Sequence, residues 1–376
     1  MTEQPGSSAP SEPSAPDVTV VVAVYNTMPY LTACLTSLAE QSIGADRMEV
    51  VAVDDGSTDG SGAELERFAR AHPGLFRIER QANSGGPAAP TNRATELARG
   101  RYVFYLGADD WLGPEALQRL VAMADRYRSD VVLGRMVGVG GRHVPQGIFD
   151  RTEPSVGFTD SALAWALSDT KLFRREPLVR HGLRRREDLP VYSDQPFTLQ
   201  ALLLAGRISV LADYDCYHAV LRADRGNTTV RSDHRDRLRG LAEILAVTDR
   251  LTEPGEVRRA LHLRHFGWDV PQLLQAGLLA LPLAEQRQVI AGVGLLVAEY
   301  CTVLDALGEP ERLRLELAAA GRHRAVLGLI EDELGRGEPR FALPRQLWRE
   351  LVPERARREL RRRQGWRSFA NRIGGS

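Results

Sequence analysis

Short apolar runs alternate with amphipathic segments over roughly the first third of the chain. The runs VTVVVAV, MEVVAV, LFRIER and RYVFYLGA are separated by stretches with helical periodicity at about 29–41, 60–71 and 88–98. A further helix is predicted from Pro114 to about Arg128, followed by a strand at DVVLGRM and a Gly-rich and Arg-rich loop or hairpin. Val and Ala without polar alternation are typical of strands buried on both faces. The repeated β-α-β-α pattern therefore predicts an α/β fold, with a mostly parallel sheet and helices on both of its faces.

The pattern changes after about Ser232. Beyond it, Leu and Ala recur at three- to four-residue spacing in long amphipathic segments, which predicts an all-helical C-terminal domain. The predicted divisions are 1–17 (disordered, rich in Pro, Ser and Gly), 18–232 (α/β domain), 233–343 (helical domain) and 344–376 (Arg-rich tail, helical).

Composition and charge narrow the class of protein. Basic and acidic residues balance at 49 each, which argues against a nucleic-acid binder. The three cysteines lie far apart, which indicates neither a disulfide framework nor a zinc cluster and fits a reducing compartment. No apolar run reaches the roughly 20 residues that span a bilayer, and the start of the chain lacks the features of a signal peptide. We therefore expect a cytoplasmic protein.

Two regions of the sequence are candidates for contacts with larger partners. The Arg-rich tail is either a solvated helix or a segment that docks peripherally on an anionic membrane or polymer. The long apolar faces of the helical domain are suited either to shaping a groove for a binding partner or to forming a homo-oligomer.

Two of the predicted strands end abruptly in polar residues. Tyr25 and Asn26 follow the first strand, and Asp54 and Asp55 end the second. Ligands collect beyond the carboxyl ends of parallel strands, so nucleotide binding is one interpretation. The other is that Asp-Asp-Gly-Ser only forms a turn and caps the next helix.

Four motifs in this order resemble family 2 glycosyltransferases with the GT-A fold, including those that act on bacterial wall polymers such as wall teichoic acid. They are VVVAVYN, VDDGSTD, the segment from QANSGGPAAPTNR to YLGADDWL, and LPVYSDQPF, and the resemblance covers 18–230. It implies an inverting, metal-dependent transfer of a sugar from a UDP-sugar to a hydroxyl of a cell-envelope polymer or another acceptor, which is a glycan or a phosphate-containing polymer. Donor-site residues implied by the resemblance are Val24, Tyr25, Asn26, Asp54, Asp55, Asn83, Asn92, Arg93, Ala108, Asp109, Asp110, Arg222 and Arg225.

The resemblance also implies a metal site and a catalytic base. Asp109 and His218 would hold Mn²⁺ or Mg²⁺ against the donor diphosphate, where charge builds up as UDP leaves. Asp194, in the fourth motif, would remove the proton of the acceptor hydroxyl as general base.

The chain departs from the family pattern at three positions. Gly107 replaces the first Asp of the metal signature, Thr91 replaces an Arg, and Ser193 replaces the Glu before Asp194. Gly107 and Thr91 motivate an alternative, a degenerate nucleotide-sugar binding protein without turnover. Trp111 is open to two interpretations, packing against the acceptor sugar or against the core. The cluster Arg184 to Arg186 is predicted to be a solvated face or a contact for a phosphate-bearing acceptor.

Overall fold

The computed structural model describes residues 15–224, 226, 232–309 and 311–333. These residues form two compact units that divide at Ser232. The predictions for the first fourteen residues, for Arg225 and for the 344–376 tail lie outside the described residues.

The first unit contains one eight-stranded sheet with helices packed on it. Its strands are β1 (Val18–Val24), β2 (Met48–Asp54), β3 (Phe76–Arg80), β4 (Tyr102–Gly107), β5 (Trp111–Leu112), β6 (Val131–Val139), β7 (Leu172–Arg174) and β8 (Ile208–Val220). Its helices are α1 (Tyr30–Ala39), α2 (Ser61–Ala71), α3 (Ala88–Leu97), α4 (Ala116–Tyr127), α5 (Arg175–Arg180) and α6 (Asp194–Leu204). The predicted succession of strands and helices up to β6 is confirmed, apart from the two-residue strand β5, which the sequence did not predict.

The sheet is mixed, with the order β3-β2-β1-β4-β7-β6-β8-β5. The four strands on the β3 side are parallel, as the β-α-β pattern predicts. The short strand β7 then pairs antiparallel with both β4 and β6, and β5 pairs antiparallel with β8, whereas β6 and β8 are parallel. The parallel half thus has the strand order β3-β2-β1-β4 that is typical of dinucleotide-binding folds. The other half extends the sheet beyond β4.

The parallel strands pack their apolar side chains into the core of the first unit. All seven residues of β2 are buried, and Val20 and Val22 of β1 belong to the same core cluster as Leu31 and Leu35 of α1. Each such side chain contributes roughly 1.5–3 kcal/mol on burial. Because β2, β1 and β4 are adjacent and parallel, their carboxyl ends lie at one edge of the sheet.

The second unit is all-helical. It comprises α7 (His234–Leu251), α8 (Glu256–Arg264), a π-helical turn (His265–Asp269), a 3₁₀ turn (Pro271–Leu274), α9 (Ala276–Leu279), α10 (Leu283–Tyr300), α11 (Glu311–Ala319) and α12 (His323–Glu333). Helix α10 packs against α7, α11 and α12. Asp233 caps α7, since its Oδ1 accepts a hydrogen bond from the Asp236 N–H at 2.8 Å. Among the described helices, none is long and apolar enough to cross a membrane.

Ordered structure at the N-terminus begins earlier in the chain than predicted. Asp17, assigned to the disordered segment from the sequence, forms ion pairs with Arg47 at 2.6 Å and with Arg101. The Arg101 N–H also donates to the Pro16 carbonyl at 3.1 Å. The predicted segment is therefore too long by at least these two residues.

Candidate active site

The loops after β1 and β2 are tied together at the carboxyl edge of the sheet. Asn26 has a left-handed backbone (φ 49°), a conformation that Asn tolerates better than most residues. Its Oδ1 accepts from the Thr58 N–H at 2.8 Å, and its own N–H donates to Ser57 Oγ at 3.1 Å. Tyr25, next to it, is 48% exposed. An exposed aromatic ring therefore stands beside a rigid pair of loops.

Both carboxylates at the end of β2 are buried and hydrogen-bonded. Asp54 Oδ1 accepts from the Ser57 N–H at 2.9 Å, so the turn role that the sequence left open is confirmed for Asp54. Asp55 accepts from Gln81 Nε2 at 2.6 Å and from the Ser84 N–H at 3.0 Å. Asn83 completes this region, because its Nδ2 donates to the Asp55 carbonyl at 3.2 Å. The two carboxylates thus organise the loops that follow β2 and β3.

Asp109 and Asp110 follow β4. The Tyr217 hydroxyl donates to Asp110 Oδ2, and the Val220 N–H donates to Asp110 Oδ1 at 2.7 Å. The same hydroxyl accepts from the Gly107 N–H at 3.1 Å. Burial and the neighbouring charge of Asp109 raise the pKa of Asp110 to about 7, and burial raises the pKa of Asp109 as well. Two carboxylates are therefore held close together against their mutual repulsion.

This pair fits a hard divalent cation. A bound cation favours the ionised forms that burial disfavours at both residues, and carboxylate oxygens are ligands that Mg²⁺ and Mn²⁺ accept. Within the described ranges, no three His, Cys, Asp or Glu side chains come together as a ready-made metal cage. A cation at Asp109 would therefore need further ligands from donor phosphates and water, as is usual for such ions.

His218 lies on β8 opposite Trp111 of β5. The two rings stack with centroids 5.3 Å apart and planes 11° apart, so Trp111 packs on His218. Burial lowers the pKa of His218, which favours the neutral imidazole, the form that binds metals. Its role as a ligand alongside Asp109 stays a prediction.

Arg222 links the segment after β8 to the loop after β1. Its guanidinium is buried, forms two hydrogen bonds with the Asp224 carboxylate (3.1 and 2.8 Å) and donates to the Asn26 carbonyl at 3.3 Å. It also lies 5.2 Å from the centre of the Tyr30 ring, whose hydroxyl accepts from the Ala223 N–H at 2.8 Å. Arg222 is therefore held at the edge where Asn26 lies.

Arg142 is a functional candidate that sequence reasoning missed. Its charge and that of Arg222 both act to lower the pKa of Asp109, against the larger effect of burial. Arg142 ends a tight turn after β6, since its N–H donates to the Val139 carbonyl at 3.3 Å and a Cβ on Gly138 would clash with the Arg142 carbonyl oxygen. The Gly-rich segment predicted a loop or hairpin but gave no sign of which site it approaches.

Two predicted donor-site residues contact other parts of the unit. Asn92 is buried and bonds the main chain of Arg185 in both directions, through Nδ2 to the carbonyl (2.9 Å) and through Oδ1 from the N–H (3.0 Å). Arg93 is half exposed and forms an ion pair with Glu79 of β3 at 3.6 Å. Asn92 therefore holds the loop that precedes the fourth motif.

The side chains of Val24 and Ala108 face the apolar core. The Val24 carbonyl accepts from the Asp55 N–H at 2.8 Å. Both side chains are buried among apolar neighbours, so a donor contact at these positions would involve the main chain, and their place in the donor site stays a prediction.

Asp194 is the first residue of α6, and the residue two before it, Tyr192, has a left-handed backbone (φ 61°). Phe197, one turn into α6, packs edge-on against Tyr105 of β4, with ring centroids 5.5 Å apart. The start of α6 therefore lies beside the strand that leads into Asp109. The two carboxylates that the sequence assigned to base and metal come from elements in direct contact.

The chain matches two family models, Glycosyl transferase family 2 over residues 19–176 and Glycosyl transferase TarS linker domain over residues 234–330. It is also similar to crystal structures of S. aureus TarS 1-349. The structure with UDP-GlcNAc has a TM-score of 0.74 and 31% identity, covering 86% of this chain and 93% of that one. The structure with UDP has a TM-score of 0.71 and 30% identity, covering 88% and 94%. The chain belongs to glycosyltransferase family 2. Its fold is GT-A, followed by a helical C-terminal region.

Curated relatives of this family 2 member are named for a wall polymer. It is 38% identical over 205 residues to poly(ribitol-phosphate) beta-glucosyltransferase of Bacillus spizizenii. It is 40% identical over 203 residues to poly(ribitol-phosphate) beta-N-acetylglucosaminyltransferase TarS of Staphylococcus aureus. These matches cover 54% of this chain but only 32% and 35% of the relatives, so the matched region is about a third of their length.

The departure from the family 2 signature at Gly107 has a physical cause. A Cβ at this position would lie 2.7 Å from Asp110 Oδ2 and 3.2 Å from the Tyr217 hydroxyl. Because Asp110 is held by two hydrogen bonds, a side chain at residue 107 would displace it. The other two departures, Thr91 and Ser193, are buried positions.

Proposed function

We propose that this protein is an inverting glycosyltransferase that moves a sugar from a UDP-sugar to a hydroxyl of a ribitol-phosphate type wall polymer. The observation that carries the proposal is the pair Asp109 and Asp110 at the end of β4, with Asp194 at the start of the helix that packs on that strand. The names of the curated relatives and the UDP-GlcNAc complex of TarS 1-349 support the donor and acceptor classes.

The donor binds at the carboxyl edge of β2, β1 and β4. Asp109, with His218, would hold Mn²⁺ or Mg²⁺ there, and such a cation would offset the negative charge that builds up on the departing diphosphate. Arg222 adds positive charge at the same edge, and Arg142 lies near the two carboxylates. The remaining proposed donor contacts are Tyr25, Asn26, Asp54, Asp55, Asn83, Asn92, Arg93, Asp110 and Arg225, the last of which lies outside the described residues.

Asp194 is the proposed general base. Its carboxylate accepts the proton of the acceptor hydroxyl as that oxygen attacks the anomeric carbon. Attack from the face opposite the leaving UDP inverts the configuration at that carbon. A single carboxylate on the acceptor side is sufficient for this chemistry.

The test is a transfer assay with the full chain. UDP-glucose and UDP-GlcNAc are each incubated with poly(ribitol phosphate), with Mn²⁺, with Mg²⁺ or with EDTA, while released UDP and polymer-bound sugar are measured. We expect UDP release that requires both polymer and cation, and a β-linked product by NMR. Tight, cation-dependent UDP binding without transfer to a broad set of acceptors would instead favour the degenerate binding protein.

We also propose the domain limits 18–232 and 233–343, a cytoplasmic location and self-association through the helical unit. The exposed apolar side chains of α10, Leu283 (65% exposed) and Leu295 (70%), support the last of these. Light scattering on the full chain tests it, and a monomeric mass across the working concentration range would dismiss it. Peripheral membrane contact through the Arg-rich tail concerns residues outside the described ranges.

A further inference from the structure

Three consecutive arginines before the fourth motif have different environments. The side chains of Arg184 and Arg186 are 55% and 49% exposed and pair with Glu96 and Asp188. The side chain of Arg185 is only 9% exposed and pairs with Asp169, which is itself buried. The prediction of a solvated or acceptor-facing cluster is therefore wrong for Arg185.

Arg185 is fixed from several sides. Asn92 bonds its main chain in both directions. Its guanidinium lies 5.2 Å from the centre of the Tyr105 ring, an attractive cation–π geometry. A guanidinium is costly to bury unless anions offset the loss of water, so this position requires partners of opposite charge.

The second anion near Arg185 is Asp194. The Tyr105 ring below the guanidinium also contacts Phe197, in the first turn of the helix that begins at Asp194. Burial lowers the pKa of the Arg185 guanidinium, and the negative charge of Asp194 acts in the opposite direction. Among the described residues, Arg185 Nε is buried without a hydrogen-bond partner, so a donor remains beyond the ion pair with Asp169.

We propose that Arg185 is a positioning residue that keeps Asp194 ionised and oriented for proton abstraction, a role that rests on the proposed function of Asp194 as base. A fixed positive charge nearby favours a carboxylate over a carboxylic acid. Asp169 shares the same guanidinium and so weakens its effect on Asp194. The groups that face Arg185 are Asp169 before β7, Tyr105 on β4 and Asp194 on α6; nearby, the Lys171 N–H bonds the Asp169 carbonyl at 2.6 Å.

The two charges predict opposite effects on the pH dependence of transfer. In Arg185→Gln, kcat should fall and the acidic limb of the kcat–pH profile should move up by about 1 to 3 pH units, because Asp194 loses a nearby positive charge. In Asp169→Asn, the limb should move down, because a competing anion is removed. Arg185→Lys keeps the charge and should keep the limb close to its position in the wild type. Arg186→Gln, the exposed neighbour, is the matched control and should leave the profile unchanged.

The measurements are kcat and KM from pH 5 to 9 on the full chain with saturating UDP-sugar, cation and polymer, together with UDP affinity and melting temperature. A lower kcat with unmoved limbs in Arg185→Gln and Asp169→Asn would overturn the inference, since it would indicate only a structural role. If Arg185→Gln fails to fold, a downward shift in Asp169→Asn with an unmoved limb in Arg185→Lys supports the inference, and no shift in Asp169→Asn overturns it. If the wild type is inactive with every donor, the proposed function is overturned and this role with it. If the wild type is active but the acidic limb does not move in Arg185→Gln and Asp169→Asn, this role alone is overturned.

Discussion

The carboxylate of Asp110 uses both of its oxygens for bonds within the protein. Tyr217 and the Val220 N–H fix its plane, and Gly107 leaves the space that this orientation needs. A carboxylate that is already oriented loses little rotational freedom when a ligand arrives. Gly107 is therefore part of this arrangement, in which the Tyr217 hydroxyl and the main chain of β8 hold the Asp110 carboxylate.

Replacing the proposed base gives a prediction at the same scale. Asp194→Asn should lower kcat by roughly 10²-fold or more, the usual contribution of a general base, because the amide no longer accepts the proton. UDP affinity should stay close to that of the wild type, since the change lies on the acceptor side. Steady-state transfer and isothermal titration with UDP check both parts.

Asp188→Asn is the control for this substitution. Asp188 is exposed, lies in the same loop region and pairs with Arg186. Its replacement should leave kcat and UDP affinity unchanged. Near-normal turnover in Asp194→Asn would assign the base elsewhere.

Residues within local motifs were predictable, whereas residues brought in from a distance were not. Asp109, Asp110 and Asp194 follow a strand end or begin a helix, and the order of motifs marks them. Arg185 has the same sequence context as its two neighbours, and only the tertiary contact with Asp169 distinguishes it. Tyr217 lies in the segment DYDCYHAV, where no local pattern marks its hydroxyl as a partner of Asp110.

Among the elements, the parallel half of the sheet and β6 follow from the apolar pattern, whereas β5 and β7 do not. The runs that form β1, β2 and β4 are long and apolar enough to be predicted as strands from the sequence. Strands β7 and β5 have three and two residues, too short for any periodicity, and they are the antiparallel ones. Their direction depends on tertiary pairing.

The turn between β6 and Arg142 offers a test at this scale. In Gly138→Ala, the new methyl group would meet the Arg142 carbonyl, so the turn must open. We expect a loss of about 1–3 kcal/mol in the free energy of unfolding, as for other overpacked sites, and a higher KM for the donor as Arg142 moves. Urea unfolding and donor kinetics measure the two effects.

Gly147→Ala is the matched control, because a Cβ there would make only ordinary contact, 3.6 Å from Ala162 Cβ. Its stability and KM should match those of the wild type. A Gly138→Ala protein with unchanged donor KM would remove Arg142 from the donor site.

On the scale of the whole molecule, the two units differ in what they bury. The main apolar cluster of the first unit runs from Val18 to Ala219. The helical unit buries two histidines, His262 and His265, which bond Asp249 and Asp269 at 2.8 and 2.9 Å. Burial lowers the pKa of both rings, and the folded state therefore holds them neutral over a wider pH range.

This difference predicts that the helical unit loses stability first in acid. Below about pH 6.5 the unfolded chain protonates these histidines and the folded unit does not, so the free energy of unfolding falls as pH falls, by at most about 1.4 kcal/mol per pH unit for each ring. Urea unfolding of the full chain followed by circular dichroism at pH 7.5 and 5.5 should show this loss. His265→Gln should show a shallower pH dependence, and the exposed control His181→Gln should keep that of the wild type. Equal slopes in all three proteins would contradict the prediction.

The two borders of the sheet also bear on how copies of this protein meet. One border is β3, five residues of which Arg77, Glu79 and Arg80 are charged; the other is β5, of two residues. Charged or very short border strands resist the addition of a foreign strand. The sheet is thus protected against edge-to-edge, fibre-like stacking of copies at high local concentration.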